Sequence, residues 1–406
     1  MTSMTTDFCV VGGGPAGLSL ALLLARSGAD VVVIERARSF DREYRGEILQ
    51  PGALELLDQL GVLPEIRRRG GYELERFQLV DHGRVLMDVD YRSLRKPYNF
   101  LLSLPQRILI EALHLACSAQ ENLHLIDGSS VNSLIFDEDR VVGAVHGSGD
   151  GARQVYAHCV VAADGRYSKV RRLAGIEYDR IEAFEHDVLW FKIPADERRV
   201  HEVRVYRDAG SPVLLHDSYP DRLQVGWTLP HKGYRRIAER GIEHVRGEIA
   251  KAVPPYADAI REHITSLTDL TLLDVFSGTA RQWARDGLVL IGDAAHTHGP
   301  IGAQGLNLAI QDAVTVHPVL MRSLNTRNDG VAVLSEFERQ RRPSIQKVHA
   351  LQSRQGKAML SAGPVADAIR PVAAKLLSYT PLYRKVLNQI AYGDRPVRVH
   401  YELLVA

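Results

Sequence analysis

Phe8–Arg36, FCVVGGGPAGLSLALLLARSGADVVVIER, decides the fold. Phe8–Val11 is a short apolar run with strand character, and Gly12-Gly-Gly14-Pro15-Ala16-Gly17 breaks it. Leu18–Ser27 reads as a helix closed by Gly28, and Val31–Ile34 as a second apolar strand ending in Glu35-Arg36. Gly12 permits the tight turn, Gly14 lets the backbone approach a pyrophosphate, and Gly17 lets helix and strand pack closely. Glu35 stands eighteen positions after Gly17, where a carboxylate accepts hydrogen bonds from ribose hydroxyls. A glycine turn alone needs no ligand. The full set of strand, helix, strand and acid implies that an adenine dinucleotide binds here.

Two further strand-to-loop junctions lie downstream. Val155–Ala163 is an apolar strand that ends in Asp164-Gly165. Leu288–Ile291 is another, broken by Gly292-Asp293, after which Pro300, Gly302 and Gly305 punctuate the chain until a helical pattern begins at Leu306. A glycine-rich approach to a helix start exposes unpaired N–H groups at the positive end of the helix dipole, a site for electron-rich groups. By itself the stretch is equally a loop before a packed helix.

Composition bounds the rest. At 406 residues the chain exceeds the roughly 250–300 at which single cores stop growing, so two lobes are expected. A formal net charge of +1 gives no field for nucleic acid, and Arg67–Arg69 and Arg339, Arg341 and Arg342 read as solvated helix faces. Cys9, Cys117 and Cys159 are isolated in apolar segments, without the spacing of a zinc or redox pair. Met1–Asp7 lacks the basic start of a signal peptide, and the run Val10–Ala25 is too short and glycine-interrupted to span a bilayer. The expectation is a cytoplasmic protein with no stable membrane insertion, as monomer or homodimer.

From Asp187 to Leu229 the pattern changes to short strands without intervening helices: Val188–Ile193, Glu202–Tyr206, Val213–Leu215 and Leu223–Thr228. That predicts an antiparallel sheet in a second lobe. Phe77–Val80 and Val85–Tyr91 read as an earlier hairpin, Tyr234–Val253 as one helix, Leu270–Ser277 as a strand leading back, and the chain after Asp312 as mostly helical.

Gly12-x-Gly14-x-x-Gly17 with Glu35, the Asp164-Gly165 junction, and Gly292-Asp293-Ala-Ala-His296…Pro300…Gly302…Gly305…Asn307 together resemble the group A flavoprotein monooxygenases of the para-hydroxybenzoate hydroxylase fold. The likeness runs from Asp7 to about Arg342. It implies an α/β fold: a discontinuous Rossmann-type FAD-binding domain of residues 1–75, 100–180 and 270–340, a β-rich substrate domain of 76–99 and 181–269, and a helical region of 341–406. It implies FAD bound extended, with Gly12, Gly14, Pro15, Ala16 and Gly17 around the pyrophosphate, Glu35 on the ribose and Arg36 near the adenine. Arg45 would lie near the phosphates, Arg107 on the flavin side, and Asp293, after Gly292, on the ribityl chain or pyrophosphate. Gly302, Gly305, Leu306 and Asn307 would pack on the flavin ring, and Asp164-Gly165 would serve both FAD and the nicotinamide donor. Family chemistry implies reduction by NADPH or NADH, then reaction with O2 to a flavin C4a-hydroperoxide that hydroxylates an aromatic, phenolic or polyketide-like small molecule, with epoxidation and Baeyer–Villiger oxidation open to the same intermediate. An FAD reductase or oxidase on the same fold is the competing enzyme class, and a non-catalytic flavin-binding module the competing non-enzyme.

Pro300 matches a family position beside the reacting flavin edge, where its carbonyl faces a substrate hydroxyl; otherwise it shapes the loop. His296 and His298 alternate, but no acid or cysteine cluster completes a metal-ligand set, so no metal is expected. Trp190, Tyr206, His216 and Trp227 either line an aromatic pocket or pack the sheet. His216 and Tyr206 are the candidate bases for phenol deprotonation. Leu189–Pro194, with one tryptophan, is a poor match to the halogenase motif.

Overall fold

The computed structural model describes residues 3–40, 46–181, 186–207, 211–360, 369, 371, 372, 374 and 380–405. The apolar runs of the sequence become the centre of one sheet. Leu288–Leu290, Arg153–Ala162, Ser3–Val11, Val31–Ile34 and Leu123–Ile126 lie side by side and all run parallel. Phe8 stands opposite Cys159 on one side and Val31 on the other. Phe8–Val11, Val31–Ile34, Cys159–Ala162 and Leu288–Leu290 are buried at every position because both faces of the sheet are covered there, which is why they read as unbroken apolar runs rather than alternating ones. Helix Pro15–Arg26, buried at every position from Ala16 to Ala25, packs against helices Gln106–Ser118 and Gln304–Asn325. The hairpin Val131–Asp137/Arg140–His146 extends the sheet beside Arg153–Ala162.

A second sheet of seven strands forms the other lobe. Its order is Thr271–Leu273, His186–Pro194, Arg222–Pro230, Val213–Ser218, Val203–Tyr206, Arg76–Asp81 and Arg84–Asp90. The early hairpin is thus part of this sheet. It joins through one parallel pair, Val203–Tyr206 with Arg76–Asp81, while all other pairs are antiparallel. Alternation gives the sheet two faces. One carries Phe191, Val213, Leu215, Val225 and Trp227 against helices Ile242–Ala252 and Ala257–His263. The other carries Trp190, Leu214, His216 and Gln224 and turns toward the parallel-sheet lobe.

Three local expectations change. The helix read across Tyr234–Val253 is two, Tyr234–Ala238 and Ile242–Ala252, because Gly241 takes a left-handed φ of 84° between them. Leu270–Ser277 is not one strand: Thr271–Leu273 joins the large antiparallel sheet, whereas Ser277–Ala280 pairs with Tyr178–Ile181 and His296–Thr297. Finally, helix Val331–Leu360 runs straight through position 341 with Pro343 inside it, so no boundary falls there. An interior proline costs about 3 kcal/mol, and burial of Phe337, Ile345 and Val348 in the main core offsets it. Among the described residues, no helix is long and apolar enough to cross a membrane.

Candidate active site

The site starts at the C-terminal ends of the parallel strands. Beyond Val11 the chain turns at Gly12, whose φ of 113° favours glycine and whose N–H donates to the Ile34 carbonyl at 2.8 Å. A Cβ at Gly12 would lie 2.4 Å from the Ala163 carbonyl oxygen, and one at Gly17 only 1.9 Å from the Gly12 carbonyl oxygen. Neither position tolerates a side chain. Gly14 is the N-cap of Pro15–Arg26, with no side chain capping that helix and no acid in its first turn. Its positive end therefore stays open to a phosphate. Glu35 is buried beside the turn, Oε2 accepting from Gly13 N–H at 2.6 Å and Oε1 from Ala37 N–H at 2.8 Å.

The second junction is more than a contact point. Asp164 Oδ2 accepts from the N–H groups of Lys169 and Val170 at 2.7 and 3.0 Å, so it holds the start of the short helix Lys169–Leu173. Arg166, in the loop between them, reaches within 3.6 Å of Asp293 Oδ2.

At the third junction Gly292 N–H donates to Asp312 Oδ2 at 2.9 Å, and Arg341 Nε donates to Oδ1 at 2.8 Å. His296 Nε2 lies 2.7 Å from Oδ2. Burial pushes the Asp312 carboxyl up, but His296 and Arg341 outweigh it and hold it below the usual carboxylate range. An ionised carboxylate only accepts, so His296 carries its proton on Nε2. This buried cluster anchors the Gly292–Asp293 turn from beneath. Further along, side-chain amides hold the loop carbonyls from outside: Gln50 that of Gly302 at 2.9 Å, and Gln352 those of Gly299 and Ile301 at 3.0 and 2.7 Å. Ala303 takes a left-handed φ of 50°, and the helix Gln304–Asn325 begins with neither a side-chain cap nor an acid in its first turn.

A cavity of about 780 Å³ runs from the glycine turn to the antiparallel sheet. Of the residues singled out from sequence, Gly12, Gly14, Pro15, Ala16, Glu35, Arg36, Asp164, Gly165, Asp293, Pro300, Gly305, Leu306 and His216 line it. Gly17 and Gly292 stand behind the wall as packing positions. Asn307 also stands back, its Oδ1 accepting from Gln50 N–H at 2.7 Å and its amide donating to Ile48, so it clamps strand Ile48–Leu49 to the loop. Gly302 likewise stays outside the wall. Arg107 lies half exposed and pairs with Glu111 at 3.0 Å, while its neighbour Gln106 lines the cavity. Arg45 lies outside the described residues.

The two candidate bases part company. Tyr206 pairs with Val213 and belongs to the helix-covered face, its hydroxyl accepting from Arg204 Nη1 at 2.9 Å. That is a correction to the expectation, and strand alternation is its cause. Trp227 shares that face. His216 and Trp190 are on the cavity face. His216 is 1% exposed, with Nδ1 3.0 Å from the Asp217 carbonyl and 3.3 Å from Ser103 Oγ. A carbonyl cannot donate, so Nδ1 carries the proton and Nε2 keeps its lone pair. Burial pushes the imidazole below the ordinary histidine range, which keeps it neutral.

Several lining residues have no sequence motif: Glu47, Ser129, Ser130 and Gln224. Glu47 stands two positions after Arg45, which the family resemblance places near the phosphates, and that nearness was the available signal.

The donor-rich, side-chain-free ends of Pro15–Arg26 and Gln304–Asn325, the steric exclusion of side chains at Gly12 and Gly17, and the buried acid at Glu35 fit an extended flavin dinucleotide. The fold and these sites define a flavoprotein monooxygenase of the para-hydroxybenzoate hydroxylase fold. Residues 5–352 match the FAD binding domain family, and the chain belongs to it. It is 55% identical over 398 residues to the 6-methylpretetramide 4-monooxygenase of Streptomyces rimosus, covering 98% of this chain and 95% of that one. It is 28% identical to the protoasukamycin 4-monooxygenase of Streptomyces nodosus subsp. asukaensis, over 87% and 88% of the two chains. The p-nitrophenol 4-monooxygenase of Pseudomonas putida shares the fold at a TM-score of 0.80 and 20% identity, with 97% and 100% of the chains covered.

Proposed function

We propose that this protein uses NADPH or NADH and O2 to hydroxylate an aromatic, phenolic or polyketide-like small molecule, and that His216 Nε2 accepts the proton of the reacting substrate hydroxyl. The observation that carries the second half is the single tautomer left to His216 by the Asp217 carbonyl, with the ring on the cavity face. The relative named for a 6-methylpretetramide 4-monooxygenase supports the substrate class. Bound FAD supplies the reduction and oxygen-transfer chemistry.

The chain's own residues do the rest. The open helix ends bind and stabilise negative charge. Asp312, His296 and Arg341 fix the Gly292–Asp293 turn, and Gln50 and Gln352 fix the loop around Pro300, so that the substrate meets a preorganised edge. His216, neutral and buried, takes a phenol proton and so raises electron density on the ring. The apolar residues Trp190, Leu214, Leu273 and Val275 keep water away from the substrate end.

The test is turnover of the FAD-loaded protein with NADPH and ¹⁸O2 across a panel of phenolic and polyketide-like compounds. One labelled oxygen per product molecule supports the reading. Release of labelled peroxide with every compound, and no labelled product, moves the protein to the oxidase class.

A further inference from the structure

Glu47 is a buried acid at the substrate end of the cavity that the reaction above does not use. Its carboxylate is already fully engaged. Lys192 Nζ donates to Oε1 at 2.6 Å and Ser218 Oγ to Oε2 at 2.7 Å. The Gln224 amide lies 2.6 Å from Oε2 and 3.1 Å from Oε1, and since a carboxylate only accepts, the nearer end is the NH2. Lys192 and Gln224 are cross-strand partners, and Ser218 shares their face of the sheet by register, so one face presents all three to an acid from the other lobe.

That arrangement fixes what the wall offers. Gln224, with its nitrogen committed to Glu47, has its carbonyl oxygen left to give. His216, with Nδ1–H committed to Asp217, has the Nε2 lone pair. Lys192 is held by Glu47. Of the other cations that line the cavity among the described residues, Arg36, Lys169 and Arg172 stand beside Glu35 or follow Asp164, and Arg166 is engaged by Asp293 and the Asp274 carbonyl. Beside these acceptors lies a flat apolar surface. Trp190 crosses Gly226 so closely that a Cβ there would lie 2.7 Å from the ring.

We infer that Glu47 determines substrate specificity: by neutralising Lys192 and committing the Gln224 nitrogen, it leaves His216 Nε2 and the Gln224 carbonyl as acceptors beside the Trp190 ring, which selects an uncharged, planar phenol with more than one hydroxyl and rejects aromatic carboxylates. A carboxylate placed against His216 and Gln224 would meet lone pairs and lose its hydration, with the Lys192 charge already spent on Glu47. The inference rests on the monooxygenase reading only for the assignment of this end of the cavity to the substrate.

The experiment is an anaerobic titration of the FAD-loaded protein, read by perturbation of the flavin absorbance, with naphthalene-1,8-diol and with 4-hydroxybenzoate. The diol should give a saturable change and the hydroxybenzoate none over the same range. Glu47→Gln frees the Lys192 charge and should move the affinity ratio toward hydroxybenzoate by about tenfold or more, the scale of one charge-assisted hydrogen bond. Adding Lys192→Met should remove that gain. Should Glu47→Gln lose FAD, Gln224→Met is the second route, and it should weaken diol binding several-fold. Equal binding of both probes by the unaltered protein overturns the inference. So does a ratio unmoved by Glu47→Gln in a protein that retains its flavin spectrum, or diol affinity unmoved by Gln224→Met. Because binding is read without turnover, a diol that binds but is never hydroxylated counts for this inference and against the monooxygenation reading.

Discussion

The two ends of the cavity recognise their ligands by opposite means. At the glycine turn the backbone does the binding and side chains are kept out: Gly12 and Gly17 admit no Cβ, and two helix N-termini stand uncapped. At the antiparallel sheet the backbone is spent on the ladder, and recognition falls to side chains on one face: Trp190, His216 and Gln224, together with Glu47 from across the cavity. A site built from backbone needs a fixed spacing of small residues, whereas one built from side chains needs only the right parity on each strand. The first is rigidly constrained and the second is free to vary, as suits a common cofactor and a particular substrate.

The sharpest way to break the comparison is at the glycine end. Gly17→Val should abolish cofactor binding, because the new Cβ alone would stand 1.9 Å from the Gly12 carbonyl oxygen and the helix must move. The purified variant should be colourless, and FAD released on denaturation is the measure. A yellow, fully loaded Gly17→Val protein would remove the steric account.

At the sheet end a substitution should spare the cofactor and cost chemistry. His216→Asn is expected to keep FAD while lowering kcat by about 10²–10⁴-fold, the usual worth of a general base. The pH profile gives the sign. Burial lowers the His216 pKa, so the neutral, proton-accepting form persists below the ordinary histidine range, and activity falls only as pH drops through that lowered value. His216→Asn should lose this acidic limb. A variant with unchanged rate and limb would transfer the role elsewhere.

The smallest effect should come from Tyr206→Phe, on the opposite face of the same sheet. It removes the hydrogen bond from Arg204 Nη1 and the one with the Tyr256 hydroxyl, and should cost about 1–3 kcal/mol in denaturant unfolding. Turnover and its pH profile should not change. A large loss of kcat there would contradict the assignment of faces.

How much was legible follows the same divide. The FAD lobe was readable because its motif is steric: the spacing of Gly12, Gly14 and Gly17, then Glu35, leaves little else the segment can be. Asn307 and Gly302, which the resemblance puts against the flavin, also clamp the loop: Asn307 spends its amide on Gln50 and Ile48, and the Gly302 carbonyl accepts from Gln50, contacts that no sequence pattern records. Helix Val331–Leu360 continues through Pro343 because burial of its neighbours, a tertiary term, exceeds a local propensity. Tyr206 and His216 looked alike in sequence. Both are polar aromatic residues in β-rich segments, and their fates diverged only because Val203 pairs with His216 and Val213 with Tyr206.

By itself, then, the sequence determined the α/β dinucleotide-binding lobe and the β-rich second lobe, and the resemblance of its three motifs to a known family implied the flavoprotein class. The two lobes rest on local pattern: glycine spacing, apolar period and strand-ending acids. The tertiary structure alone decided which face of the second sheet meets the cavity and brought Glu47 onto Lys192 and Gln224, residues 145 and 177 positions away in the chain. Those contacts depend on strand register and on the docking of one lobe against another, and no short-range pattern of residue types records either.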